Sequence, residues 1–402
     1  MNYSFPKITH IDDVLLAIKD SPEFIVAEKD GYKVVNYVVA THETFPAVNT
    51  VQMVQNWDVS EPIYETENDY FAALRRECRG LVFDMEGNLI NRRYHKFFNV
   101  NERDETQLDR IDWNKPHVIL EKLDGSMVSP CRVRNHVRWM TKMGVTDTSM
   151  EAETFVSKNP QYALLARHYL ENGFTPVFEW CSNKNRIVLD YPEDRLVLTA
   201  MRENVSGNYL LQDALEAIGS RYGIEVVEAY QHGDDEIVDQ VRKWEDTEGV
   251  VVRFEDGHMV KVKSDWYVRI HKVKSLLGQE RDVVKLILNN ELDDLLPVLP
   301  KEDVERVEKF QKEMIERLEK NAWALHNVIG LYKLSCDRKT FAINHAPSMD
   351  SIWRSLVFKF WDKECDEHLT YAAIVDTILS KCGNNASYAV VKEAFLKDVD
   401  YV

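Results

Sequence analysis

The stretch His117-Val-Ile-Leu-Glu-Lys-Leu-Asp-Gly-Ser126 decides the reading of this chain. The apolar run Val118 to Leu120 predicts a short buried strand. Asp124-Gly125 is a turn signal that ends it. Lys122 therefore stands at the lip of a strand, held by backbone structure on both sides. A lysine on a rigid edge can be aimed, whereas one on a loose loop cannot. Lys-x-Asp-Gly is the pattern that covalent nucleotidyl transfer needs: an amine that attacks an α-phosphate and keeps the nucleotide as a phosphoramidate. Alone, the tetrapeptide also describes an exposed lysine beside a hairpin turn, so the rest of the chain must decide.

Working outward, a helix is expected over Ile11 to Ile18, then a turn at Lys29-Asp30-Gly31 and a strand from Tyr32 to Ala40. Residues 41–70 read as a polar, loop-rich insertion. Arg79 to Asp84 predicts a strand, closed by Glu86-Gly87-Asn88 into a hairpin whose partner runs into His95 to Asn99. Further strands are expected at Asn135 to Lys142, Pro176 to Trp180 and Arg195 to Met201, with one helical stretch at roughly 149–171. Val250 to Phe254 and Met259 to Lys263, joined at Asp256-Gly257, form the clearest hairpin. Residues two apart share a face, so Lys261 and Lys263 point one way while Val260 and Val262 point into a core. Two like charges side by side are costly unless an anion lies between them.

From about Ser275 the period changes. Val304, Val307, Phe310, Met314, Leu318, Leu325 and Ile329 recur every three to four residues, and Pro297 and Pro300 separate two helices.

The chain has 402 residues, 45% apolar and 29% charged, enough for two or three globular domains. No apolar run reaches the roughly 18 residues of a membrane span, so no membrane partner is expected. The N-terminus lacks the pattern of a signal peptide. Six scattered cysteines lack Cys-x-x-Cys spacing, which excludes a zinc ribbon or redox motif and fits reduced thiols in a cytoplasm. A net charge of −17 excludes a protein that coats nucleic acid non-specifically, but not a basic cleft on an acidic body. Two basic groups are candidates for that cleft. One is Arg92, Arg93 and Lys96; the other is Lys261, Lys263, Arg269, His271, Lys272 and Lys274.

In order, the charged residues at predicted strand ends are Arg79, Lys96, Lys122, Asp124, Glu179, Glu248, Lys261 and Lys263. Arginine and lysines neutralise a triphosphate. Carboxylates hold a magnesium ion or a ribose. One lysine is the nucleophile. An ordinary lysine is well under about 0.1% free amine at pH 7, and neighbouring cations or a metal ion favour the uncharged form.

The order and local sequences resemble the covalent nucleotidyltransferase superfamily of ATP-dependent ligases and capping enzymes. More closely they resemble the T-even bacteriophage type of single-stranded RNA ligase that repairs cleaved tRNA. The shared strings are Glu77-Cys78-Arg79-Gly80, Lys96-Phe97-Phe98-Asn99, Phe178-Glu179, Asn185-Arg186-Ile187-Val188, Glu248-Gly249 and Lys261 through Val268. Asp293-Asp294-Leu295 and Asp337-Arg338-Lys339-Thr340 continue it. The resemblance implies an α+β chain. Residues 1–275 would be an adenylyltransferase domain of antiparallel sheets with flanking helices, and 276–402 an all-helical domain for tRNA specificity. It implies ATP and Mg2+, with Mn2+ able to substitute, RNA ends and nicked tRNA as partners, a monomer, and the cytoplasm of a host bacterium. It makes Lys122 the adenylylated lysine, with Asp124 and Glu248 catalytic. Tyr37, Arg79, Lys96, Glu179, Lys261 and Lys263 would hold ATP, and Glu248 and Asp293 would hold metal. Leu123 stands where the phage type has an acid. A DNA ligase or capping enzyme is the competing enzyme reading, but those follow the last lysine motif with a barrel domain. A catalytically dead RNA-binding protein is the non-enzyme alternative.

Overall fold

The computed structural model describes residues 5–50, 64–185, 187–230, 236–293 and 295–401. Residues 51–63 of the expected insertion, Arg186 and Asp294 lie outside the described residues. The chain divides into two compact units, Met1–Val268 and Arg269–Val402. The α+β reading, with antiparallel sheets followed by a helical region, holds.

The first unit contains three sheets among its described residues. One joins Phe24–Lys29, Tyr32–Tyr37, Arg79–Phe83 and Leu89–Asn91, all antiparallel. A second runs in the order Arg195–Glu203, Phe174–Cys181, Ser126–Val133, His136–Met140. The third carries the Lys122 strand, His117–Glu121. It lies between Ala229–Tyr230 and Gly249–Phe254, which pairs onward with Met259–Lys263. Each sheet buries an apolar face. In the third, Ile119, Val250, Val252, Phe254, Val260 and Val262 pack with Ile237, Val238 and Val241 of the helix Glu236–Arg242. The expected alternation is present: Val260 and Val262 are buried, while Lys261 and Lys263 are half-buried on the other face.

Several elements differ from the sequence reading. The partner of Arg79–Phe83 ends at Asn91, and Phe98–Asn99 instead pairs in parallel with Val260 and Lys261 in the third sheet. Arg92 and Arg93 explain the break: their buried side chains bond to other elements, which takes the chain out of the hairpin. The stretch at 149–171 is two helices, Asp147–Lys158 and Pro160–Glu171. Pro160 lacks an N–H and starts a helix but does not continue one. The loop-rich region passes into a helix, Glu67–Glu77, capped by the Thr66 side chain. Phe24–Lys29 and the helices Gln212–Tyr222 and Glu236–Arg242 were not legible, because short strands and helices carry too few periods.

The second unit is helical. Its longest helix, Lys301–Ser335, buries Val307, Phe310, Met314, Leu318, Ala322, Leu325 and Ile329 along one stripe. Asp337, Asp350, Asp366 and Asn384 each cap a following helix by accepting a backbone N–H. Among the described residues, no helix is long and apolar enough to cross a membrane.

Candidate active site

Lys122 follows directly from the end of its strand, and its backbone N–H donates to the Gly249 carbonyl at 2.9 Å. The next turn is locked from several sides. The buried Asp124 carboxylate accepts N–H groups of Val188 and Leu189, each at 2.7 Å, and the Tyr267 hydroxyl at 2.7 Å. The Asp124 N–H donates to the Tyr191 hydroxyl oxygen at 2.9 Å. Asp124 therefore spends its carboxylate on positioning the Lys122 loop. Gly125 is required by space, since a Cβ there would lie 2.4 Å from the Trp180 carbonyl oxygen.

The Lys122 amine lies 2.7 Å from one oxygen of Glu248, whose other oxygen is 2.9 Å from the Lys263 amine. Glu248 is buried, 3% exposed, so it joins the two lysines inside the protein. The strand register makes this possible: Gly249 pairs with Lys263, and Val250 pairs with Glu121. Gly249 has φ +134°, and a Cβ would meet the Val262 carbonyl oxygen at 2.0 Å. Only glycine allows that approach.

Aromatic rings separate the remaining cations. Arg79 and Lys261 lie 5.8 Å and 5.3 Å from the Phe97 ring centre. Lys96 lies 5.4 Å from the Tyr37 ring and 5.1 Å from the Phe98 ring. Lys142 lies 4.8 Å from the Tyr37 ring.

The electrostatics follow from this crowding. Burial lowers the Lys261 amine to about 7, helped by Lys96, Lys122 and Arg79 and opposed by Glu102. Burial also lowers Lys96. Burial raises Glu179 to about 7; Glu248 and Asp124 push the same way, against Lys122 and Arg79. Burial raises the Tyr37 phenol, but Arg79, Lys96 and Lys142 outweigh it and leave it below the usual range. Cations weakened by burial and by one another, beside a carboxyl held partly protonated, make this cluster a candidate functional site.

The structure thus brings together Tyr37, Arg79, Lys96, Lys122, Asp124, Glu179, Glu248, Lys261 and Lys263. Asp293 lies exposed in a turn of the second unit. One basic group is corrected. Arg92 and Arg93 are not cleft residues, being 0% and 1% exposed. Arg92 and Arg202 flank the buried Glu77 carboxylate, at 3.0 Å and 2.8 Å. Arg93 donates to the Ser129 hydroxyl at 2.6 Å and to the Gly80 carbonyl. Consecutive arginines looked like a surface patch because sequence charge carries no burial signal. Arg269, His271 and Lys272 are exposed on the helix Asp265–Leu277, while Lys274 is half-buried 3.4 Å from Asp303. Sequence reasoning assigned no role to Tyr267 or Tyr191, whose contacts with Asp124 arise from distant positions.

The site is thus a strand-end lysine held by a buried carboxylate, with further cations and aromatic rings beside it. Residues 77–267 match the family described as RNA ligase. A Thermovibrio ammonificans protein that carries the name RNA ligase is 33% identical over 226 residues, 54% of this chain and 59% of that one. An Autographa californica nuclear polyhedrosis virus protein, named as a bifunctional polynucleotide kinase/RNA ligase, is 26% identical over 256 residues, 57% of this chain and 35% of that one. The chain thus spans about three fifths and about one third of the length of these curated relatives. An archaeal ATP-dependent RNA ligase structure aligns with a TM-score of 0.37 at 15% identity, over 65% of this chain and 63% of that one.

Proposed function

We propose that this protein is an ATP-dependent RNA ligase that joins a 5′-phosphate to a 3′-hydroxyl through a Lys122-AMP intermediate. The observation that carries the reading is the Glu248 bridge, which holds the Lys122 amine 2.7 Å from a buried carboxylate on a rigid strand end. In the first step the amine nitrogen bonds to the α-phosphorus of ATP. The bond from that phosphorus to the bridging oxygen breaks, pyrophosphate leaves, and the amine loses its proton, for which Glu248 is the nearest placed acceptor. AMP then passes to the RNA 5′-phosphate. Finally the 3′-hydroxyl attacks that phosphate and AMP leaves. Every step is displacement at phosphorus, so positioning and charge neutralisation supply the catalysis.

Arg79, Lys96, Lys261 and Lys263 are the proposed phosphate-binding residues, with Tyr37 beside them and Glu179 contacting the ribose. Glu248, buried and electrostatically coupled to Glu179, is the carboxylate proposed to hold a magnesium or manganese ion. Such an ion, when bound, screens the phosphate charge. Asp293 is proposed as a further metal-associated carboxylate, tested by Mn2+ titration of Asp293→Ala. The helical unit is proposed to favour a cleaved tRNA anticodon loop.

The test is incubation with labelled ATP and a divalent metal, then mass spectrometry of the peptide that contains Lys122. An adduct of AMP on Lys122 is expected; active protein with the adduct elsewhere, or none, rejects the reading. Ligation of a nicked anticodon stem-loop beside an unstructured oligonucleotide tests the choice of RNA. Equal rates on the two would reject tRNA repair.

A further inference from the structure

Arg103 follows the strand Phe98–Asn99 and is 6% exposed. Its guanidinium carbon lies 4.7 Å from the Phe98 ring centre, the ring that Lys96 approaches at 5.1 Å. One of its nitrogens, Nη2, donates to the Thr41 carbonyl at 2.8 Å. The other two, Nε and Nη1, are buried and have no hydrogen-bond acceptor among the described residues. No carboxylate among the described residues pairs with it either, in contrast to Arg92 and Arg202, which share Glu77. Arginine keeps its charge on burial, so a guanidinium with two open donors is unfavourable until an anion arrives.

We infer that Arg103 is a further phosphate-binding residue of this site and holds the terminal phosphate of the nucleoside triphosphate beside Lys96. The inference rests on the nucleotidyl-transfer reading of Lys122. The third sheet orders the cations in space. The strand that leads into Lys122 pairs with Gly249–Phe254, that strand with Met259–Lys263, and that in turn with the edge strand Phe98–Asn99, which Lys96 precedes and Arg103 follows. Lys122 is placed for the α-phosphate, so the row runs outward along the tail and reaches Arg103 last. Arg79 supports the same picture, because its Nη1 is also buried without an acceptor among the described residues. Arg79 and Lys261 lie against the Phe97 ring, and Lys96 and Arg103 against the Phe98 ring, so the cations are partly withdrawn from water and each interacts more strongly with a phosphate.

Three readouts on the full-length protein test this: ATP dependence of Lys122 labelling, pyrophosphate-driven removal of AMP from Lys122, and sealing of pre-adenylylated RNA without ATP. Arg103→Met should raise the ATP half-saturation by roughly ten- to a hundredfold, the effect of losing a charge-assisted hydrogen bond. It should weaken pyrophosphate reversal similarly and leave sealing of pre-adenylylated RNA within about twofold of wild type, since no triphosphate takes part in that step. An unchanged ATP half-saturation overturns the inference, and so does an equal loss in pre-adenylylated sealing. If Arg103→Met does not fold, Arg103→Lys decides with the same readouts: a rise in ATP half-saturation confined to labelling supports the role, and none overturns it. A wild-type protein that fails to label Lys122 refutes the underlying reading instead, and is distinguishable because it needs no variant.

Discussion

The Glu248 carboxylate bridges Lys122 and Lys263, at 2.7 Å and 2.9 Å. Glu248 and Lys122 are 126 positions apart in sequence, and the pairing of Val250 with Glu121 brings them together. One carboxylate thus sets the position of Lys122, the proposed nucleophile, and of Lys263, a proposed phosphate-binding lysine, at once.

Glu248→Gln keeps the shape and removes the charge. ATP-dependent labelling of Lys122 should fall about a hundredfold or more, as for loss of a preorganised charged contact in a dry site. Rapid-quench labelling checks this. Labelling within about threefold of wild type, with the variant folded, would remove Glu248 from the chemistry.

Gly249→Ala should act through the backbone. The added Cβ would collide with the Val262 carbonyl, and φ +134° is strained for any L side chain. The cost is expected at about 1–3 kcal/mol, read as a lower urea midpoint. Because Gly249 accepts the Lys122 N–H, labelling should fall further than the stability loss explains. A variant with wild-type labelling would show that Lys122 is held by other contacts.

Glu77→Ala should be a stability variant. It leaves Arg92 and Arg202 buried without their shared carboxylate. Breaking a buried ion network by removing one partner costs about 3–5 kcal/mol. Arg92→Met should also destabilise, and its effect on RNA affinity should not vary with salt, since Arg92 does not reach solvent. A change in the salt slope of RNA binding would restore Arg92 to the cleft.

Stability of the ligand-free protein should depend on pH through Lys261 and Glu179. Glu179 is raised to about 7, so between roughly pH 4.5 and 7 the folded state holds a proton that the unfolded state has lost, and its contribution falls as pH rises. Lys261 is lowered to about 7, so above that pH the unfolded state holds the extra proton and the Lys261 contribution rises toward pH 10. The two contributions meet in a minimum near neutrality. Comparing thermal midpoints against pH for Lys261→Met and wild type isolates the alkaline limb, which the variant should lose. An identical alkaline limb in both proteins would contradict the Lys261 assignment.

The local geometry around Lys122 and Lys261 was legible in the sequence because strand periodicity is local. The alternation Met259-Val260-Lys261-Val262-Lys263 dictates which side chains share a face, and Asp124-Gly125 dictates a turn after Lys122. The stripe of Val307 through Ile329 likewise dictates a helix with one buried face. What the sequence could not determine was partnership between distant residues. Phe98–Asn99 left the expected hairpin for a parallel edge beside Lys261, because strand pairing depends on which exposed edge is available in space. Arg92 and Arg93 carry the same charge as Lys96, yet tertiary packing buried the two arginines and left Lys96 at the aromatic wall. Asp124 reads as part of a motif, but only the fold brings Val188, Leu189 and Tyr267 to its carboxylate. The physical reason is the same in each case. Periodicity and turn chemistry act over a few residues, whereas burial and ion pairing depend on contacts that form only when the sheets and their connecting segments have packed.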